Sequence, residues 1–146
     1  MLRGRFAAGS VYACFVCLLG LTAQPAKLRT QDIFPKINTL KAKVPLLEGL
    51  NCTLYTPTRQ DYQQNCPVST LRCFADEVKV LTEELEAIGV PGMRRFPLIT
   101  SLKKHARWLE KTQQKTSDCL QCELLTEKEP QPFLGDLISI IQMVNS

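Results

Sequence analysis

An all-α fold, a four-helix bundle with up-up-down-down connections, is the class this sequence predicts, and three observations predict it. Apolar residues recur at three-to-four spacing in four separate stretches. A long, a short and a long connection join those stretches, in that order. Four cysteines form two pairs, one at the start of the second stretch and one inside the last connection, whose internal spacings span similar lengths.

The chain opens on an address label. Arg3 and Arg5 precede an uncharged stretch, Val11 to Leu21, too short to span a bilayer and suited to the apolar centre of a secretory leader. Gly20, Thr22 and Ala23 are small and Pro25 follows, so cleavage is expected near Ala23, with a leader over residues 1–23 and one domain over 24–146. No second apolar run of spanning length follows, so no membrane insertion of the exported chain is expected. Removing Arg3 and Arg5 takes the net charge from +4 to +2. That balance argues for neither a nucleic-acid partner nor a polybasic membrane anchor. Its distribution is uneven: Asp76 to Glu86 is acidic, whereas Arg94 to Lys115 carries seven bases against Glu110.

The first helical stripe is Ile33, Ile37, Leu40, Val44 and Leu47, with Pro35 in an opening turn and Pro45 set to kink or end it. The second, Leu71, Phe74, Val78, Leu81, Leu85 and Ile88, repeats without a lapse behind Pro67, a residue suited to a first helical position. Ile99, Leu102, Ala106 and Leu109 form the third after Pro97. Phe133, Leu134, Leu137, Ile138, Ile141 and Val144 form the fourth after Pro132. The only stretch that alternates as a strand would is Cys52 to Thr56, which is expected as an extended piece of loop.

Gly89 to Gly92 with a residue or two joins the second and third helices, which must therefore be antiparallel neighbours. The other connections, about Glu48 to Asn65 and Gln113 to Gln131, can each run the length of a helix at roughly 3.3 Å per residue. Two long crossovers around a short turn are what an up-up-down-down bundle needs.

Cys14 and Cys17 leave with the leader, so Cys52, Cys66, Cys73, Cys119 and Cys122 remain of the seven. Cys66 and Cys73 lie about 10 Å apart along a helix, and Cys119 and Cys122 span about as much in extended chain. If the second helix ascends, the third descends and the last crossover climbs, so the later cysteine is the higher. The expected bridges are Cys66–Cys119 and Cys73–Cys122. Cys52 is left free, buried or paired with another chain.

Cys119-Leu-Gln-Cys122 also has the spacing of a redox or zinc motif, but the strand and helix that flank a thioredoxin-like site are missing from the pattern. One histidine, His105, is read as a surface residue among Lys103, Lys104 and Arg107, off the apolar stripe. No glycine-rich phosphate loop, nucleophile elbow or paired metal-ligand histidines occur, so neither an enzyme nor a cofactor or metal is expected. Asn51-Cys52-Thr53 is a glycosylation sequon in a loop, with Asn51 the acceptor.

Four segments together carry a resemblance: Cys52 to Thr56 (CTLYT), Cys66 to Phe74 (CPVSTLRCF), Cys119 to Glu123 (CLQCE), and Phe133 to Met143. They resemble the interleukin-15 family of short-chain helical cytokines, over most of the second helix, both cysteine pairs and the last helix. The resemblance implies a secreted cytokine held by a sushi-type interleukin-15 receptor alpha chain. It also implies that a beta chain and the common gamma chain are drawn together to signal lymphocyte growth and survival. Tyr55, Glu77, Val80, Glu84 and Glu123 fall on the positions implied to face the alpha receptor, and Gln142 on the position implied to face the gamma chain. The chain departs from the family on the first helix, where the acidic residue implied for the beta chain has no counterpart around Ile37 and Asn38. It departs again on the third helix, which the resemblance implies helps bind the beta chain but which is unusually basic here, a face open to an altered receptor, to anionic glycans or to solvent. A secreted carrier of lipid or apolar ligand, and a receptor antagonist or decoy, stand as rival readings; the carrier needs a cavity between the stripes.

Overall fold

A computed structural model describes residues 30–64, 66–112 and 119–144. The expected leader, residues 1–23, lies outside them.

Helix α1, Thr30–Lys43, passes into a 3-10 turn, Val44–Leu47. Ile33, Ile37, Leu40, Val44 and Leu47 are all buried. Pro45 is the reason for the change of pitch: its ring supplies no N–H and clashes with the carbonyl four residues back, so the chain tightens instead of continuing as α-helix.

The first crossover carries strand β1, Leu54–Tyr55, and a short helix α2, Arg59–Gln63. The Thr58 hydroxyl accepts the Asp61 N–H at 3.1 Å and the Asp61 carboxylate accepts the Thr58 N–H at 2.7 Å, a reciprocal cap that starts α2.

Helix α3, Pro67–Ala87, buries Leu71, Phe74, Val78, Leu81 and Leu85 completely. Ile88, expected to end that stripe, is 42% exposed because the helix stops one residue earlier. Gly89 takes a left-handed φ of 92°, its N–H meets the Glu86 carbonyl at 2.9 Å, and the Val90 N–H meets the Leu85 carbonyl at 3.0 Å. This is a Schellman stop, and Val90 is buried in place of Ile88.

Helix α4, Pro97–Thr112, buries Leu98, Leu102, His105, Ala106 and Leu109. Leu98, not Ile99, leads the stripe, and Ile99 is half-buried. The surface reading of His105 is corrected: it is 5% exposed and stacks on Trp108, with ring centroids 5.8 Å apart. Because α4 packs against both α3 and α1, its buried face is wider than a three-four stripe suggests. Burial holds the His105 pKa below its ordinary value. The unfolded chain therefore binds the extra proton first, so the stability associated with neutral His105 is present above about pH 6.5 and lost as the pH falls below it. Urea midpoints at pH 7.5 and 5.5 should differ less in His105→Phe, which keeps the stacking but does not titrate; an equal loss on acidification would sink this assignment.

After the second crossover, with its 3-10 turn Cys122–Leu124 and strand β2, Glu127–Lys128, comes α5, Pro130–Val144. Pro130 and Pro132 both lie in the first turn, where backbone N–H groups have no helical partner. Phe133, Leu134, Leu137 and Ile141 are buried as expected; Ile140 joins them, while Ile138 and Val144 are half-buried.

Three contacts set the helix directions. Arg72 near the start of α3 pairs with Glu110 near the end of α4. The Gln131 side-chain amide donates to the Lys41 carbonyl, so α5 starts where α1 ends. Arg59 of α2 donates to the Met143 sulfur at the end of α5. Helices α1 and α3 run one way, α4 and α5 the other, in the up-up-down-down arrangement. The bridges Cys66–Cys119 and Cys73–Cys122 have Cα separations of 5.8 and 5.4 Å and tie the second crossover to α3. The stretch read as extended loop pairs as a strand: β1 and β2 are antiparallel, with Leu54 opposite Lys128 and Tyr55 opposite Glu127. Among the described residues no helix is long and apolar enough to cross a membrane.

Candidate receptor-binding surface

Cys73, Glu77, Val80 and Glu84 recur at four-three-four spacing and share one stripe of α3, beside the buried one. Strand β1 lies against this stripe. The Tyr55 N–H donates to Glu77 Oε1 at 2.6 Å, a charge-assisted bond that aligns strand and helix. Cys73 brings in Cys122, and with it the exposed Glu123 of the 3-10 turn. Pairing of β1 with β2 brings in Glu127, whose Oε1 accepts the Thr53 hydroxyl at 2.6 Å. Two crossovers and one helix thus converge on a single acidic patch.

The closeness of its members perturbs their ionisation. Burial pushes the Glu77 carboxyl above its ordinary range, the Tyr55 N–H opposes that shift, and the charges of Asp76, Glu123 and Glu127 add to it. A raised carboxyl favours the folded state once protonated, so Glu77 works against His105 on acidification. Burial also raises the Cys52 thiol, with Glu84 and then Glu77 adding to the shift. Half-buried Cys52 is therefore held as a neutral thiol rather than a reactive thiolate.

Of the five residues expected to face an alpha receptor, the structure draws Tyr55, Glu77 and Glu123 together and sets Val80 and Glu84 on the same α3 stripe. They are not equivalent. Glu77 is only 8% exposed and acts chiefly as the anchor of β1, whereas Val80 is 36% exposed and Glu84 and Glu123 are open to solvent. Gln142 is exposed on the last turn of α5, the end that meets α2, and shares none of these contacts. Asn51 is exposed at a left-handed φ of 54°, a conformation asparagine tolerates better than most residues. A surface cleft of about 260 Å³ lies beside it, lined by Val44, Leu47, Cys52, Glu129 and Gln131 among others.

Asp76 and Glu127 were missed by sequence reasoning. Asp76 was legible, being next to Glu77 in an acidic run. Glu127 was not, because a two-residue strand has no periodicity and its partner lies 72 residues earlier.

A sequence model of the family described as Interleukin 15 matches residues 10–145. Interleukin-15 of Oryctolagus cuniculus is 30% identical over 114 residues, covering 75% of this chain and 67% of that protein. Interleukin-15 of Bos taurus is 29% identical over 109 residues, covering 73% and 64%, and that of Homo sapiens 26% over 110 residues, covering 73% and 64%. The chain thus matches a little under two thirds of the length of the cattle and human proteins. No solved structure gives a significant match.

Proposed function

The chain belongs to the interleukin-15 family, and on that premise we propose that it is an exported, non-enzymatic cytokine whose activity is receptor binding. In this reading residues 1–23 direct secretion and are removed, and Asn51 carries a glycan. A sushi-type alpha receptor docks on the acidic patch, and the beta and common gamma chains are then brought together, with Gln142 at the gamma contact.

The observation that carries the reading is the convergence of β1, the α3 stripe and the bridged 3-10 turn. It presents Tyr55, Val80, Glu84 and Glu123 on one surface behind a buried Glu77. An acidic rim around a small apolar residue suits a basic receptor module: the charges steer encounter and the centre provides desolvated contacts. The carrier reading needs a chamber between the stripes. Among the described residues the space between the stripes holds Phe74 of α3 against Phe133 of α5, with ring centroids 5.4 Å apart, within one apolar core cluster.

The test is binding of the secreted protein to immobilised sushi-type alpha receptor from the same organism. Glu84→Lys and Glu123→Lys together should weaken binding by roughly 10- to 100-fold, mainly where charge steers association. Glu77→Gln should bind nearly as wild type, because the amide oxygen can still accept the Tyr55 N–H. Gln142→Asp should leave alpha binding intact and reduce signalling through the gamma chain. A folded, disulfide-bonded wild type that fails to bind would overturn the alpha-receptor mechanism.

A further inference from the structure

Helix α4 has two faces of opposite character. Taken at 100° per residue, Leu98, Leu102, His105, Ala106 and Leu109 cover the buried side, Thr100, Lys104, Arg107 and Lys111 fall opposite, and Lys103 lies at the edge of that stripe. Lys104, Arg107 and Lys111 are exposed and Lys103 is half-buried. The nearest acid on the helix, Glu110, lies on the flank and is engaged by Arg72 of α3. Arg94, before the helix, is engaged by Glu86. Among the described residues none of the four stripe cations makes an ion pair. Like charges at i, i+3 and i+4 repel, so the stripe is a line of uncompensated positive charge about 12 Å long.

We infer that this face of α4 binds an extended sulfated polysaccharide. Protein interfaces centre on aromatic or apolar anchors and are depleted in lysine, whereas Thr100, Lys103, Lys104, Arg107 and Lys111 include no aromatic or aliphatic anchor. Insertion into a lipid surface needs a free apolar face, and that of α4 is spent in the bundle core. A linear polymer with regularly spaced anions can follow a straight row of mobile cations without any apolar contact. Its binding gains from release of the counterions condensed on it. The choice of a sulfated polysaccharide over other polyanions rests on the export reading above. The same polymer repels the acidic patch formed by Glu77, Glu84, Glu123 and Glu127, so a molecule held through α4 keeps its candidate receptor surface free.

The experiment uses the secreted, folded protein against heparin, selectively desulfated heparin, phosphatidylserine vesicles and single-stranded RNA, at several salt concentrations. Wild type should bind heparin more tightly than the other three, and log K should fall against log salt with a slope of about 3, from roughly 0.7–0.9 per neutralised charge over four cations. Lys104→Glu with Arg107→Glu and Lys111→Glu should lose at least tenfold in heparin affinity near physiological salt, about 0.15 M, and flatten the slope. The corresponding triple glutamine variant guards against charge reversal upsetting the helix and should lose affinity in the same direction. Both variants should keep wild-type helix content and alpha-receptor binding. Failure of alpha binding alone would count against the proposed receptor, not against this site. Equal heparin binding by wild type and both variants, indifference to desulfation, or tighter binding to vesicles or RNA would each overturn it.

Discussion

Phe74→Ala is expected to lower the unfolding free energy by about 3–5 kcal/mol, the usual cost of truncating a fully buried phenylalanine. Phe74 is 0% exposed on the inner face of α3 and meets Phe133, equally buried, on α5. The two helices are joined by no short turn, so this aromatic pair is a contact through which the second and last helices recognise each other. Its tilted rings at 5.4 Å lie in the favourable range for aromatic pairs, which contributes about 0.5–1.5 kcal/mol beyond area burial. Chemical denaturation should show a lower midpoint with an unchanged slope. Phe74→Leu, which keeps most of the volume, should cost less than half as much. Equal losses in the two variants would show that the site does not depend on filled space.

Removal of the Cys73–Cys122 bridge by a double serine substitution should cost about 2–5 kcal/mol. The bridge closes a loop with a sequence separation of 49 residues, for which the chain-entropy account gives about 4 kcal/mol. A local effect accompanies the global one. Cys122 opens the 3-10 turn bearing Glu123, and β2 follows a few residues later, so loss of the bridge frees one side of the acidic patch while Glu77 continues to hold β1. Receptor binding should therefore weaken even in conditions where both proteins are fully folded. The matching double serine variant at Cys66 and Cys119 should lose comparable stability with a smaller effect on binding, since that rung lies one α3 segment away from Glu77. Equal binding losses in the two variants would separate the patch from the Cys73 bridge and attribute the effect to stability alone.

The substitution Glu77→Lys illustrates why burial matters to the choice of probe. It would remove the acceptor of the Tyr55 N–H and place a cation where the side chain is 8% exposed, so lost binding would not distinguish a receptor contact from a displaced strand. Glu84 and Glu123 are exposed and carry the question without that ambiguity.

The four bundle helices, their directions and the pairing of the two bridges were legible in the chain, because each follows from local periodicity, loop length or rise per residue. Ile37, Leu40, Phe74 and Leu137 are buried as their spacing requires. Helix ends were less legible: Ile88 belongs to the periodicity of α3 but lies beyond its Schellman stop. The cap of α2, Thr58-Arg-Gln-Asp61, lies inside a connection with no apolar rhythm, so its five-residue helix carries no periodic signal. His105 was misplaced because one histidine among three bases looks solvated until a second helix is known to cover the flank of α4. By itself the sequence determined the elements whose information is local, a helix needing only its own apolar rhythm and its own caps. Only the tertiary structure decided that Glu127 joins Tyr55, Glu77 and Glu123, which the resemblance had already set on one face, since its place depends on a two-residue strand pair between distant segments and no local pattern records such a meeting.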